Sequence, residues 1–158
     1  MKVILQRVLS ASVTVDKEMI SSIGKGVLAF AAVAPRGHGE GGRPDGGQGA
    51  PDEALGRRRG RQGTYLSWKR SVADIEGEVL CVSQFTLLAS TKKGAKPDFH
   101  GAANPEEARR LYHYFVQKVR AGYQEERVKD GQFQAMMEVA LVNDGPVTLE
   151  LKNGAKTD

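Results

Sequence analysis

Disulfides, metal motifs and familiar catalytic motifs are what this 158-residue sequence most clearly lacks. Its single cysteine, Cys81, excludes an intrachain disulfide, and the apolar setting EVLCVSQF predicts a small buried side chain, not a nucleophile. Its three histidines, His38, His100 and His113, are not spaced with cysteine or aspartate as in a known metal site or triad. No G-x-x-x-x-G-K-[ST] phosphate loop occurs either. If the chain is an enzyme, its catalytic groups are not a familiar side-chain triad.

Long hydrophobic runs are also missing. No apolar stretch approaches the length that spans a bilayer, and the first 16 residues alternate in polarity without the apolar core of a signal peptide. A content of 40% apolar and 27% charged residues is ordinary for a globular protein, and the length suits one domain over residues 1–158. We therefore expect one cytoplasmic domain that does not enter a membrane.

Positive charge is in slight excess, with a formal net charge of +4. Residues 36–63 contain six Arg and four acidic residues, which accounts for +2 of that excess. A nucleic-acid contact would therefore need a local patch, and the candidate is TKKGAKP, with Lys92, Lys93 and Lys96. On charge alone, a solvated loop is the favoured explanation of this cluster.

Residues 35–63 differ in composition from the rest of the chain. They hold ten of the 19 Gly and three of the six Pro, with almost nothing to bury. This composition predicts a disordered insertion within the domain. The functional alternative is that this Arg-rich segment binds RNA.

The remaining periodicity predicts a mixed αβ domain of the α+β class, rich in strands. Residues 2–33 indicate several short strands separated by a Ser-rich break, and Val27–Val33 suits a strand buried on both faces. Residues 76–89 predict another strand, and residues 133–142 and 146–151 predict two more. The clearest helix covers 104–122, with Asn104 as the N-cap and Gly122 at the end. An apolar face at helical spacing predicts the side that packs on the core, and it consists of Leu111, Tyr112, Phe115, Val116 and Val119.

Two short polar motifs interrupt these apolar segments. SQFTL, residues 83–87, ends one strand, and NDGPVT, residues 143–148, separates the last two. Taken singly, the first is an ordinary strand end and the second an ordinary turn, because Pro lacks the amide hydrogen that a ladder requires. Together with QRV at 6–8 and FQAMM at 133–137, in this order and spacing, they resemble the D-aminoacyl-tRNA deacylase family. The resemblance covers residues 1 to about 33 and about 68 to 152.

The resemblance implies a fold, an activity and an assembly. Proteins of this family are cytosolic homodimers with a β-barrel-like fold and few helices. They hydrolyse the ester that joins a D-amino acid, or glycine, to tRNA, and so serve D-amino acid metabolism and translation quality control. They need no cofactor and no metal, and aminoacyl-tRNA is their partner.

The resemblance also assigns roles to the second motif. The family's Gly-Pro peptide is cis and reaches from one subunit into the other subunit's pocket, and Gly145 and Pro146 match that dipeptide. Its rigid carbonyls would bind the substrate ammonium and leave no room for an L side chain. Arg7 resembles the arginine that supports this loop, with a surface-facing strand residue as the alternative. Three further residues complete the predicted substrate pocket, two of which could instead fill the core: Met136, Met137 and Asn143.

The predicted catalytic residues belong to the first motif. Backbone amides near Phe85 and Thr86 would stabilise the oxyanion, while Ser83 and Gln84 would orient the terminal adenosine or a water molecule. The basic cluster Lys92, Lys93 and Lys96 would then contact the tRNA acceptor end. In the family, a helix and a strand occupy the place of residues 35–63.

Two alternatives remain at this point. One is a catalytically impaired or inactive RNA-binding homologue that lacks part of the fold. The other is the related deacylase group in which the Gly-Pro peptide is trans and small L-amino acids are accepted, although SQFTL argues against it.

Overall fold

A computed structural model of the protein describes residues 1–35, 70–92 and 96–152. Apart from Pro35, the predicted insertion over 35–63 lies outside the described residues, and so does Lys93. The predictions made for the insertion therefore stay predictions.

Six strands form one sheet. They are β1 (Lys2–Val15), β2 (Glu18–Ile23), β3 (Gly26–Ala32), β4 (Glu78–Ser83), β5 (Val128–Asp130) and β6 (Glu138–Lys152). The order is β2-β1-β3-β4-β5, and β6 pairs with β1 along nearly its whole length. The pairs β3–β4 and β4–β5 are parallel, and the other pairs are antiparallel. The sheet curls into a nearly closed, barrel-like form, so the predicted strand-rich α+β class is confirmed.

One α-helix, α1 (Pro105–Ala121), lies in the part of the chain that the structure describes. Its start follows the capping rule, because the Asn104 side chain accepts a 2.9 Å hydrogen bond from the Glu107 amide and Pro105 occupies the first turn. Tyr112, Val116 and Val119 are its buried residues. The predicted helix and its apolar face are therefore confirmed.

Apolar side chains cover both faces of the central strands. Residues that alternate along β3 and β4 divide between two clusters. One cluster, the helix-side core, lies between α1 and the sheet and includes Val3, Ala29, Val79, Cys81, Tyr112 and Val116. The other, the inner core, lies on the opposite face and includes Val8, Val13, Leu28, Leu80 and Val82. The prediction that β3 is buried on both faces is thus confirmed.

Three predicted element boundaries are wrong. The first strand continues across Ser10 and Ser12, because β6 supplies ladder partners to both. The strand expected over 76–89 ends at Ser83, opposite Ala31 near the end of β3, and Phe85–Leu88 form a 3-10 turn. There the backbone bonds locally, with the Leu87 amide donating to the Gln84 carbonyl at 3.2 Å. The last two predicted strands are a single strand, β6, which begins at Glu138 and not at Phe133, and whose pairing with β1 is irregular at the NDGPVT motif.

Candidate active site

The SQFTL motif lies where β4 leaves the sheet. Ser83 is the last paired residue of the strand, opposite Ala31, and the Gln84 amide still donates to the Ala31 carbonyl at 2.8 Å. Phe85 and Thr86 open the 3-10 turn and are exposed. The first amides of a helical turn have no carbonyl within that turn to bond. This end of the sheet therefore offers backbone donors beside a polar side chain.

The NDGPVT motif forms a loop on β6 opposite a single residue of β1. Pairing passes from Gln6 with Thr148 to Val8 with Asn143, so residues 144–147 bulge out against Arg7. The Gly145–Pro146 peptide bond is cis, as the resemblance implied, and both residues are exposed.

Arg7 supports this loop from β1. Its Nε donates to the Asp144 carbonyl at 3.1 Å and lies 3.3 Å from the Asp144 carboxylate. The Asn143 side-chain amide donates in turn to the Arg7 carbonyl at 3.4 Å. Of the two predicted roles for Arg7, the loop support is the one that these contacts favour.

The loop also requires a glycine at its tip. Gly145 has φ +121°, a conformation that residues with a side chain rarely adopt. A Cβ there would lie 2.9 Å from the Val147 side chain and 3.0 Å from Arg7 Nη2. Two independent features therefore require glycine at position 145: its positive φ and its close contact with Arg7.

Within one chain the two motifs lie far apart. Ser83 pairs with a residue of β3 that pairs in turn with Val3 of β1. The loop lies opposite Arg7, on the edge of β1 that faces away from β3. Three strand spacings and four residues along the strand separate them by roughly 20 Å on a flat sheet. A single chain therefore does not assemble the predicted pocket from both motifs.

The two methionines of the predicted pocket have different surroundings. Met137 packs against the inner core, and its sulfur would lie 2.9 Å from a Cβ placed on Gly131. Met136 is 92% exposed. Met137 thus fills core at least in part, whereas Met136 is free to contact something outside this chain.

The basic cluster lies on a loop closed by a backbone bridge. The amide and carbonyl of Ser90 exchange two 2.8 Å hydrogen bonds with those of Asp98. Lys92 and Lys96 lie within this loop and are exposed. Their placement suits a contact with a polyanion.

An aromatic pair connects this loop to the SQFTL motif, and no sequence pattern identifies it. The rings of Phe85 and Phe99 lie 5.2 Å apart at an angle of 63°. His100, the next residue, contacts the Asp98 carboxylate through Nδ1. The hydrogen bond that His100 donates to the Asp98 carboxylate, together with the charge of that carboxylate, raises the pKa of His100 above its usual value. The pair could have been predicted only from the exposure of Phe99 beside His100, and exposure cannot be read from a sequence.

The buried ionisable groups serve the core and not the site. Burial, reinforced by Asp130, raises the pKa of the Cys81 thiol to about 12, so it stays protonated at neutral pH. The Tyr112 hydroxyl donates a 2.5 Å hydrogen bond to the Asp130 carboxylate, and burial is the main cause that raises the pKa of each. In residues 1–35, 70–92 and 96–152, no group of three His, Cys, Asp or Glu could hold a metal ion. No helix in these ranges is long and apolar enough to cross a membrane.

Comparison with known proteins identifies close relatives. The family model described as D-Tyr-tRNA(Tyr) deacylase matches residues 4–152. A D-aminoacyl-tRNA deacylase of Yarrowia lipolytica is 45% identical over 151 residues, covering 95% of this chain and 96% of the relative. D-aminoacyl-tRNA deacylase 1 of Mus musculus is 41% identical over 155 residues, covering 98% of this chain and 71% of the relative.

Solved structures share the fold. The structure of a c-Myc DNA unwinding element binding protein matches with a TM-score of 0.77 and 40% identity, covering 98% of this chain and all of that one. A probable eukaryotic D-amino acid tRNA deacylase matches with a TM-score of 0.72 at 19% identity, and that likeness concerns the fold alone.

Proposed function

Because the chain belongs to the D-Tyr-tRNA(Tyr) deacylase family, we propose that it hydrolyses the ester between a D-amino acid, or glycine, and tRNA, and spares L-aminoacyl-tRNA. The observation that carries this proposal is the loop at Gly145 and Pro146, built around contacts from Arg7 and Asn143. Gly145 and Pro146 are both exposed at the tip of that loop, and Gly145 has no side chain to cover its backbone. A main-chain surface suits an enzyme that must test handedness while accepting many amino acids.

The selection step is steric. The carbonyls of Gly145 and Pro146 accept hydrogen bonds from the substrate ammonium, which fixes the α-carbon close to the loop. At that distance the side chain of an L residue points into the loop, whereas that of a D residue points away. Discrimination thus comes from a clash with the wrong enantiomer. Arg7 contributes as a positioning residue, because its contacts with Asp144 hold the loop in place relative to β1.

The chemical step is attack by water on the ester carbonyl. The amides of Phe85 and Thr86 stabilise the oxyanion of the tetrahedral intermediate, and one such donor is typically worth about 3–4 kcal/mol. Ser83 and Gln84 orient the terminal adenosine or the water. The intermediate collapses with expulsion of the ribose oxygen, which takes up a proton, and the products are the free D-amino acid and tRNA. This chemistry requires no cofactor.

The complete site is shared by two subunits of a homodimer. The separation of the two motifs within one chain supports this proposal, because a second copy can bring its loop to the SQFTL end of the first. The exposed apolar residues Leu149 and Leu151 support it as well. Both lie on β6, which pairs with β1 along one edge and, in the part of the chain that the structure describes, with no strand along the other. Met136 of one subunit would then lie near the pocket of its partner.

The partner is aminoacyl-tRNA, and the cellular setting follows from it. Lys92, Lys93 and Lys96 contact the phosphates of the acceptor end, which makes the protein RNA-binding as well as hydrolytic. The enzyme acts in the cytoplasm, where it returns mischarged tRNA to translation. The comparisons give no support to the alternative of an inactive RNA-binding homologue.

The experiment that tests the proposal compares two substrates. D-Tyr-tRNA and L-Tyr-tRNA are incubated with the protein, and the release of amino acid is followed over time. We expect fast release from the D-ester and release at the spontaneous rate from the L-ester. Equal rates for the two esters, or a D-ester as stable as in buffer, would contradict the proposal.

A further inference from the structure

The surface beside the SQFTL motif has features that the hydrolytic step does not use. An open, shallow surface depression of about 570 Å³ is lined by Pro97, Asp98, Phe99 and His100. The ring of Phe85 contacts that of Phe99 at its border. The proposed oxyanion stabilisation uses the backbone amide of Phe85 but not its ring, and Phe99 and His100 have no part in it.

Both aromatic rings are unusually accessible for phenylalanine. Phe85 is 57% exposed and Phe99 is 38% exposed. Because their planes are inclined at 63°, the rings do not stack on each other, and each keeps a face that a third ring can cover. Such a corner of two exposed rings beside a surface depression is typical of surfaces that bind unpaired bases.

The charges at this corner are positive on balance. His100 is almost fully exposed, and its Nδ1 is occupied by Asp98, so Nε2 points outward. The shift in the pKa of His100 favours the form in which Nε2 also carries a proton and can donate a hydrogen bond. Lys92 and Lys96 lie on the adjoining loop, which the bridge between Ser90 and Asp98 anchors to the same segment. Asp98 is the acidic group that faces this corner, and its contact with His100 lowers its own pKa.

From these observations we propose that Phe85, Phe99 and His100 form a subsite for an unpaired nucleotide that precedes the esterified adenosine of the tRNA. The base stacks on the aromatic corner, and His100 donates to a neighbouring phosphate. The subsite rests on the proposed function, because it presupposes that a single-stranded tRNA end reaches the SQFTL turn. The subsite would also explain how the enzyme binds the unpaired end of the tRNA in addition to the duplex.

The main test uses uncharged RNA and the full-length protein. The probes are an acceptor-stem hairpin with four unpaired 3′ nucleotides and the same hairpin with a blunt end, and affinity is measured by fluorescence anisotropy. We expect Phe99→Leu to weaken binding of the overhang hairpin by about 5- to 100-fold and to leave the blunt hairpin unchanged. Phe99→Trp should retain the affinity. Overhang binding by Phe99→Leu within twofold of the original protein would overturn the proposal.

Two further variants control for folding and for aromatic residues in general. Tyr114→Leu removes a 54% exposed ring from α1, where it contacts Lys118, and should leave both affinities unchanged. His100→Ala changes an exposed side chain and should reduce the slope of log K against log salt for the overhang hairpin by about 0.7. If Phe99→Leu fails to fold, His100→Ala still decides, because an unchanged slope would overturn the proposal.

The two proposals can fail separately. If the protein hydrolyses D-Tyr-tRNA while Phe99→Leu binds the overhang normally, the subsite is wrong and the proposed function stands. If the overhang is bound in a Phe99-dependent manner while neither ester is hydrolysed, the proposed function is wrong and the subsite stands.

Discussion

At the scale of single residues, Arg7 connects the sequence to the proposed selectivity. The sequence places a charged residue on a strand of alternating polarity and leaves two roles open. Its contacts with Asp144 and its proximity to Gly145 favour loop support. Neither contact could be read from spacing, because the partners are more than 130 residues apart in the chain.

Replacement of Arg7 should affect selection more than stability. Arg7→Lys keeps the charge but loses the planar group, so we expect deacylation of D-Tyr-tRNA to fall at least about tenfold. The free energy of unfolding should change by no more than about 1 kcal/mol, because the ion pair is partly exposed. Initial rates and urea denaturation measure the two effects.

Lys2 provides the matched control for that variant. It also extends from β1 to an acid on β6, Glu150, at 3.7 Å, but lies away from the loop. Lys2→Gln should leave the deacylation rate unchanged. A loss of rate as large as that of Arg7→Lys would mean that any ion pair between these strands matters, and would remove the special role of Arg7.

The contact between His100 and Asp98 gives a pH prediction. Because Asp98 stabilises the charged imidazole, the pKa of His100 should lie above its usual 6.5, and Asp98→Asn should lower it. The favourable contact is fully present below the unfolded pKa and is lost as the pH rises through the raised folded value. NMR titration of the imidazole carbon-bound protons measures the pKa directly. A value that is the same in the original protein and in Asp98→Asn would refute the interaction.

At the scale of elements, the sequence specifies α1 best and the strand ends least. The cap at Asn104 and the 3.6-residue apolar period are local signals, and both are confirmed. By contrast, the end of β4 at Ser83 depends on where its neighbour β3 stops, and the continuity of β1 depends on partners supplied by β6. Strand β5 is only three residues long and has no signal of its own.

The Gly24-Lys25-Gly26 segment gives an element-scale prediction. A Cβ on Gly26 would lie 1.8 Å from the Glu78 carbonyl oxygen, so Gly26→Ala cannot keep the pairing of β3 with β4. We expect Gly26→Ala to lower the free energy of unfolding by at least about 2 kcal/mol. Gly24→Ala should cost less than about 1 kcal/mol, since its Cβ would meet only the Glu78 side chain at 3.7 Å. Equal stability of the two variants in urea denaturation would show that the backbone there is not as close as described.

At the scale of the whole molecule, the two motifs identify the family from sequence, but their positions relative to each other are known only from the structure. SQFTL and NDGPVT are 60 residues apart in sequence, and nothing in either states which chain completes which pocket. The sheet order adds that, within one chain, β1 and β3 lie between the two motifs. Under the proposed function, the chiral test and the chemistry are brought together by assembly and not by folding of one chain.

The measurement that tests this most directly is complementation between two inactive variants. Gly145→Ala alters the loop and leaves the SQFTL turn intact, whereas Thr86→Pro removes an amide from the turn and leaves the loop intact. After unfolding and refolding of an equal mixture, half of the dimers contain both variants, and each of these has one intact shared site. The account predicts recovery of about one quarter of the original D-Tyr-tRNA deacylase activity. A mixture that forms heterodimers yet stays as inactive as either variant alone would contradict it.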